Sequence, residues 1–600
     1  MAEFMEEEDQ KERLKGDKKI PVRILFRRML AYVRPEIRSF IFAGFLLLLN
    51  VALDIVIPLI VSRITDSLTE ELIDLRTVVM LAVGAFLIGA VNNLFIYVES
   101  MTLQKAGQRI IYALRTDVFT HIEGMSQNQF SEMPVGSLVT RVASYTQSMS
   151  DLFTDVIVSV IRNLVTIVGV YAIMFVVSWK LALLMLIPIT VVFVSSFLLS
   201  LYESKAFRDE RKRLSDLNAF LNENLSGMKI TQIFNREEKK AEEFDEKNNS
   251  HRRSVFRIVI GFGIYRPFVT FVYVATIALI FYFGVRYGLS PGGVVAFYLY
   301  LGKFFQPVQR LADQLNNIHK ATSASERLFN LLDVQPDVRD LPDAVDLVDV
   351  KGRIEFKNVW FAYVGEDWIL RDVSFVIEPG DTCAFVGATG AGKTTILQLI
   401  VRNYEIQRGT IEIDGQDISK IRIKSLRRAI GQMLQDVFLF SGTVKTNVSL
   451  HDETIPDEKI VEACRYVGAD SFIERLPDKY ESQVIERGEN FSQGQRQLLS
   501  FARTVLHRPQ ILILDEATAN IDAETEVLIQ ESLEKMRSIG TMLVVAHRLS
   551  TIQHADQIIV LQKGEIIERG THQELLAKHG YYWKLYRLQF EGGEKQTSET

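Results

Sequence analysis

Cysteine is almost absent from this chain: Cys383 and Cys464 are the two in 600 residues. They lack metal-ligand spacing, and the cytosolic setting read for their half of the chain disfavours a structural disulfide, so both read as core residues. The chain lacks a basic surplus, with a net charge of −6, which excludes the electrostatic footprint of a nucleic-acid binder. Met1 to Lys19 carries charges but no apolar core or small-residue cleavage site, so it is not read as a signal peptide, and targeting falls to the first apolar segment. Long apolar runs are lacking after residue 306, although hydrophobic residues make up 48% of the whole.

What is there divides in two. Six apolar segments, at about 40–62, 77–98, 156–178, 181–201, 262–285 and 292–314, each approach the ~20 residues that span a bilayer. Basic residues crowd ahead of the first (Arg23, Arg27 and Arg28 among them), and acidic residues (Asp66, Glu70, Glu71, Asp74) fill the link to the second. The amino terminus is therefore placed in the cytoplasm. The second-to-third and fourth-to-fifth connections each exceed fifty residues, stay charged and keep helical spacing. They are expected to form two long cytoplasmic hairpins with tips near Gln129–Gly136 and Asn224–Met228. Residues Pro21 to Arg34 alternate basic and apolar positions at helical spacing, which predicts an interfacial helix on the inner leaflet.

Two features of the spans invite function. Asp54 stands in the middle of the first, one turn from Asn50. It is either a functional carboxylate or the partner of a neighbouring polar group such as Asn92 or Asn93. The last two spans are rich in aromatics, including Tyr265, Phe271, Tyr273, Tyr300 and Phe305, which suit large apolar or cationic ligands and equally suit helix packing.

The boundaries that follow are a charged segment 1–20, a membrane domain 21–330, a linker 331–350 rich in Asp and Pro, a soluble α/β domain 351–590 and a polar tail 591–600. In the soluble part the apolar stretch Thr382–Val386 runs into Gly387-Ala388-Thr389-Gly390-Ala391-Gly392-Lys393-Thr394 and then into a helical pattern. This is the strand–loop–helix setting of a G-x4-GK[ST] phosphate loop. Glycines 387, 390 and 392 let backbone N–H groups turn onto phosphates, Lys393 brings a point charge, and the Thr394 hydroxyl suits Mg2+. A second apolar strand, Ile511–Leu514, ends in Asp515-Glu516, one carboxylate placed for Mg2+ and one for polarising an attacking water.

From about 352 to 590 the chain resembles an ATP-binding cassette ATPase. The resemblance rests on the phosphate loop, on Asp515-Glu516 and on Phe491-Ser492-Gln493-Gly494-Gln495, which is similar to the signature loop of that family. It implies that Tyr363 stacks on adenine and that Gly387, Thr389, Gly390, Gly392, Lys393, Thr394 and Thr395 hold ATP. Ser492, Gly494 and Gln495 would hold a second ATP across a dimer. Thr394, Gln435 and Asp515 would hold Mg2+, and Glu516, Gln435 and His547 would form the hydrolytic set. Glu486-Arg487-Gly488, Trp179-Lys180-Leu181 and the first hairpin (Phe130, Gly136, Leu138, Arg141) resemble the exporters of the superfamily, although Tyr145 stands where they usually have Asp and Ala519-Asn520-Ile521-Asp522 departs from the usual Ser-Ala-Leu-Asp.

The implied fold is an α-helical membrane domain of six transmembrane helices with long cytoplasmic extensions, fused to an α/β P-loop ABC ATPase domain. The implied setting is the cytoplasmic membrane, with the ATPase inside. Gln493 replaces the usual first glycine of the signature, and a side chain there crowds the approach to a γ-phosphate. With the phosphate loop, Gln435, Asp515, Glu516 and His547 intact, this resembles one half of the bacterial heterodimeric multidrug exporters. The implied partner is a different half-transporter with an intact signature and a degenerate catalytic carboxylate; the alternative is a homodimer that tolerates Gln493. The implied cargo is a small amphipathic compound, with a lipid or lipid-linked flippase as the alternative and an ATP-gated regulator as a third reading. A peptide exporter with a leader peptidase is disfavoured, since no such domain precedes the membrane half.

Overall fold

The computed structural model describes residues 18–69, 74–433, 437–515, 523–545 and 552–588. Contacts divide the chain into two compact units, one holding residues up to 123 and 133–335, the other 124–132 and the chain from 336 on.

The first unit is built of helices: α1 (Val22–Val33), α2 (Ile37–Thr69), α3 (Leu75–Glu123), α4 (Val135–Val177), α5 (Trp179–Ser226), α6 (Glu237–Arg286) and α7 (Pro291–Leu332). Among the described residues, α1–α2 read as one run together with α3, α4, α5 and α6 are long and apolar enough to cross a membrane. The sixth apolar segment lies on α7, where Lys303 and Gln306 interrupt it. At 1.5 Å per residue the 48 residues of α5 run about 70 Å, more than twice a ~30 Å hydrocarbon core, so charged helix continues well past the lipid. Pro58, Pro188, Pro267 and Pro307 sit inside these helices, as packed neighbours in a membrane allow. The core gathers residues such as Val51, Met174, Met185, Phe297, Tyr300 and Leu301 from α2, α4, α5 and α7.

The hairpin tips differ from the expected positions. The first is a short helix, Gln127–Ser131, closed by a Ser126–Gln129 capping box, and it belongs to the second compact unit, where Gln129 Nε2 donates to Asp337 at 2.8 Å. The capping box at Ser126 opens the tip, and Pro134, the N-cap of the following helix, closes it. The second tip runs further than Met228. It breaks at Gly227, forms the helix Met228–Ile233 and turns at Asn235 with φ 48°.

The second unit is α/β. Its strands are β1 (Ile354–Ala362), β2 (Trp368–Ile377), β3 (Thr382–Val386), β4 (Arg408–Ile413), β5 (Gln416–Asp417), β6 (Ile430–Met433), β7 (Gly442–Thr443), β8 (Gln483–Val484), β9 (Ile511–Asp515), β10 (Thr541–Val545), β11 (Gln557–Gln562) and β12 (Glu565–Gly570). An antiparallel sheet β2-β1-β4-β5 packs with a six-stranded sheet ordered β12-β11-β3-β10-β9-β6, in which β11, β3, β10, β9 and β6 run parallel. The buried runs of β3, β9 and β10 are continuous because both faces of that sheet are covered. Helix α8 (Lys393–Ile400) follows β3, and α9 (Gln493–Leu506) precedes β9.

Candidate nucleotide site

Parallel strands send their carboxyl ends to one edge, and the site forms there. Pairing places Val545 of β10 opposite both Phe385 of β3 and Asp515 of β9, and Met433 of β6 opposite Leu514. The glycine loop leaves β3 at this edge. Gln435, Glu516 and His547 lie outside the described residues. Each follows a strand of this sheet within two positions, after Met433, Asp515 and Val545.

The loop has the shape of a phosphate cradle. A side chain at Gly387 would meet the Leu561 carbonyl oxygen at 2.3 Å, so the backbone passes where only glycine fits. Gly390 has φ 80°, and a Cβ there would meet nothing within 4 Å, so the loop mouth is open. Thr389, Gly390 and Thr394 are exposed, and Lys393, the first residue of α8, is buried. Lys393 Nζ donates to the loop's own carbonyls, Gly387 O at 2.7 Å and Ala388 O at 3.1 Å. Burial lowers the pKa of this ammonium, and the charge of Asp515 opposes the shift, so strand end and loop address one site. The open mouth, the ammonium and the exposed Thr394 hydroxyl fit a triphosphate. Thr394 and Asp515, with Gln435, are the residues that would hold its Mg2+.

Tyr363, 42% exposed, follows β1 and stands beside the loop helix, its hydroxyl 3.0 Å from Thr395 Oγ1. Thr395 is buried, and its hydroxyl is the one that meets Tyr363. Tyr363 meets the edges of Phe361 (4.9 Å) and of Tyr404 (5.0 Å). Tyr404 was not singled out in the sequence. It lies outside every motif, and no local signal marks it. Burial raises its phenol pKa, which keeps it neutral.

The signature stands at a helix start. Ser492 caps α9: its Oγ accepts from the Gln495 N–H at 3.3 Å, and Gln495 Oε1 accepts from the Ser492 N–H at 3.0 Å. Gly494 is buried and Gln493 exposed. The glutamine therefore leaves the cap intact and is itself exposed at the first position of α9. Among the described residues no hydrogen bond or ion pair joins this cap to the glycine loop, so the two halves of the motif set are displayed separately.

Elsewhere the structure settles individual residues. Asp54 pairs with Lys303 Nζ at 2.5 Å, a partner on α7 that the sequence reading did not name, while Asn93 donates to Gly89 O. Of the membrane aromatics, Phe297, Tyr300, Phe304 and Phe305 are buried in packing and Phe271 is 72% exposed. Tyr145 accepts from Arg327 Nη1 at 2.9 Å. Cys383 and Cys464 are both buried, with the Cys464 thiol pushed up to about 12 by burial, so both stay inert thiols.

Residues 40–308 match the family model of the ABC transporter transmembrane region, and residues 370–519 that of the ABC transporter itself. The chain is 38% identical to the probable multidrug resistance ABC transporter ATP-binding/permease protein YheH of Bacillus subtilis, over 82% of this chain and 74% of the relative. It is 33% identical to the ATP-dependent lipid A-core flippase of Syntrophus aciditrophicus, over 96% of each. Among solved structures it is similar to a bacterial Atm1-family ABC exporter with ATP bound, with a TM-score of 0.76 and 26% identity, covering 92% of this chain and 98% of that one.

Proposed function

Since the chain belongs to the ATP-binding cassette exporters, multi-pass membrane proteins with a transport-coupled ATPase fused to the membrane region, we propose that it moves hydrophobic or amphipathic, drug-like compounds out of the cell as one half of a heterodimer. ABC exporters dimerise, and the motif set fits an unlike partner. The observation that carries this is Gln493. It is exposed and directly follows the intact Ser492 cap, the signature position that faces a partner's nucleotide in the family it resembles. Two copies of this chain would carry that substitution at both sites. An unlike partner with a normal signature would meet this chain's glycine loop and leave one competent site. The second hairpin tip also fits a dimer, since Leu225, Ile230, Ile233 and Phe234 are each at least 64% exposed, more apolar surface than a solvated turn needs.

In the competent site Lys393 neutralises phosphate charge, Tyr363 stacks on the adenine, and Glu516 orients the attacking water, with Gln435 and His547 completing the set. Thr394, Asp515 and Gln435 would hold Mg2+, which would supply neutralisation of phosphate charge. Hydrolysis at that site resets the pair, and the first hairpin tip, grouped with the ATPase unit, passes the motion on. Glu516→Gln in the native complex tests this. ATP binding is kept, while ATP turnover and uptake of an amphipathic dye into inside-out vesicles fall by about two orders of magnitude or more. Retained turnover rejects the assignment. The similarity to a lipid A-core flippase over 96% of both chains supports a second reading, in which the cargo is a lipid. Assaying lipid translocation beside dye uptake in the same vesicles separates the two.

A further inference from the structure

Helix α1 has three surfaces. Leu25, Met29 and Val33, four residues apart, are buried against the protein. Val22, Phe26 and Leu30, on the neighbouring stripe, are exposed. Beyond that stripe, on the side away from the protein, Arg23 and Arg27 form an exposed basic row that Arg34 extends. At 100° per residue the order around the helix is buried, exposed apolar, basic. The helix contains no acidic residue, and among the described residues neither Arg23 nor Arg27 makes an ion pair. The first acid after it, Glu36, is taken by Arg109 at 3.1 Å. Three residues, Arg34 to Glu36, separate Val33 from the long apolar helix that begins at Ile37, so the exposed stripe lies next to the first span.

A second set of contacts ties this helix to the far end of the membrane unit. Arg28 makes two hydrogen bonds with Asp333, at 2.6 and 2.7 Å, and its guanidinium lies 4.5 Å from the centre of the Phe329 ring. Ile20 N donates to Glu326 Oε1 at 2.6 Å, and Asn330 Nδ2 to Lys18 O at 2.7 Å. Asp333 directly follows α7, and the chain leaves the membrane unit two residues later.

We propose that α1 is a binding site for the anionic lipid headgroups of the inner leaflet, and that the Arg28–Asp333 clamp makes the ATPase rate depend on its occupancy. Val22, Phe26 and Leu30 enter the acyl region, which brings Arg23 and Arg27 to headgroup phosphate level. The partner is a leaflet and not a soluble anion, because the basic row borders an exposed apolar stripe and no buried pocket. Occupancy fixes the helix, and the clamp carries that constraint to Asp333.

The test uses the native complex in nanodiscs of phosphatidylcholine, with and without phosphatidylglycerol. The unchanged complex retains phosphatidylglycerol by native mass spectrometry, and its ATPase rises several-fold when that lipid is present. Arg23→Gln/Arg27→Gln weakens retention about tenfold or more, at roughly one kcal/mol per basic residue near an anionic surface. Arg23→Lys/Arg27→Lys preserves it. Asp333→Asn keeps retention and loses the ATPase response. Matching thermal midpoints in detergent show that the variants are folded. Full retention by the double glutamine variant overturns the site, as does displacement of the lipid by inorganic phosphate in solution. A preserved ATPase response in Asp333→Asn overturns the coupling.

Discussion

Lys393 Nζ lies 2.7 Å from the carbonyl oxygen of Gly387, six residues back along its own loop. The ammonium is thus held inside the cradle by the backbone that surrounds it, in a buried position that makes its charge costly. Phosphate oxygens offer the same ammonium a stronger, charge-assisted set of acceptors.

Lys393→Ala is therefore expected to leave the fold intact and to reduce ATP turnover by about a hundredfold or more. Removing the buried charge removes its desolvation cost, so the thermal midpoint without nucleotide stays the same or rises. Stabilisation by added ATP is lost. Nucleotide titration of the midpoint in wild type and variant checks both statements.

Tyr363 and Tyr404 are expected to separate cleanly. Base stacking is worth about 1–3 kcal/mol, so Tyr363→Ala raises the half-saturating ATP concentration roughly tenfold with a smaller change in maximal rate. Tyr363→Phe loses only the bond to Thr395 and shifts it a few-fold at most. Tyr404→Ala, which removes the edge that supports the ring, falls between the two. Steady-state ATPase kinetics on the three variants rank them.

The Asp54–Lys303 pair carries a prediction on stability. Both side chains are partly exposed, 36% and 26%, so the pair is screened, and neutralising one partner leaves a lone charge in an apolar span at a cost of about 1–2 kcal/mol. Asp54→Asn and Lys303→Gln should each lower the thermal midpoint in detergent by a few degrees, and the double variant should recover most of the loss. A double variant as unstable as the sum of the singles shows that the charges do not interact. Unchanged dye uptake in Asp54→Asn removes a transport role for the carboxylate.

These comparisons show what was legible in the chain. The phosphate loop was, because its chemistry is local: three glycines, a lysine and a threonine fall within eight positions at a strand-to-helix junction, and the structure has β3 and α8 on either side. The strand ending in Asp515 was legible for the same reason. Tyr404 was not, since its role comes from ring edges that meet only after β1 and α8 have packed. Lys303 was not named as the partner of Asp54, because about 250 residues separate the two and only the pairing of α2 with α7 joins them. The first hairpin tip was legible except for its start, which the Ser126 capping box moves a few residues earlier, and the second runs on past Met228 to Asn235.

The composition of the assembled transporter decides between an unlike pair and a pair of identical chains. Extracting the complex from its own membranes and weighing it by native mass spectrometry, with both subunits identified, decides the point. Two unlike half-transporters are expected, this chain and a partner with an intact signature and a degenerate catalytic carboxylate. A complex of two identical copies of this chain, active in ATP hydrolysis, would contradict the heterodimer.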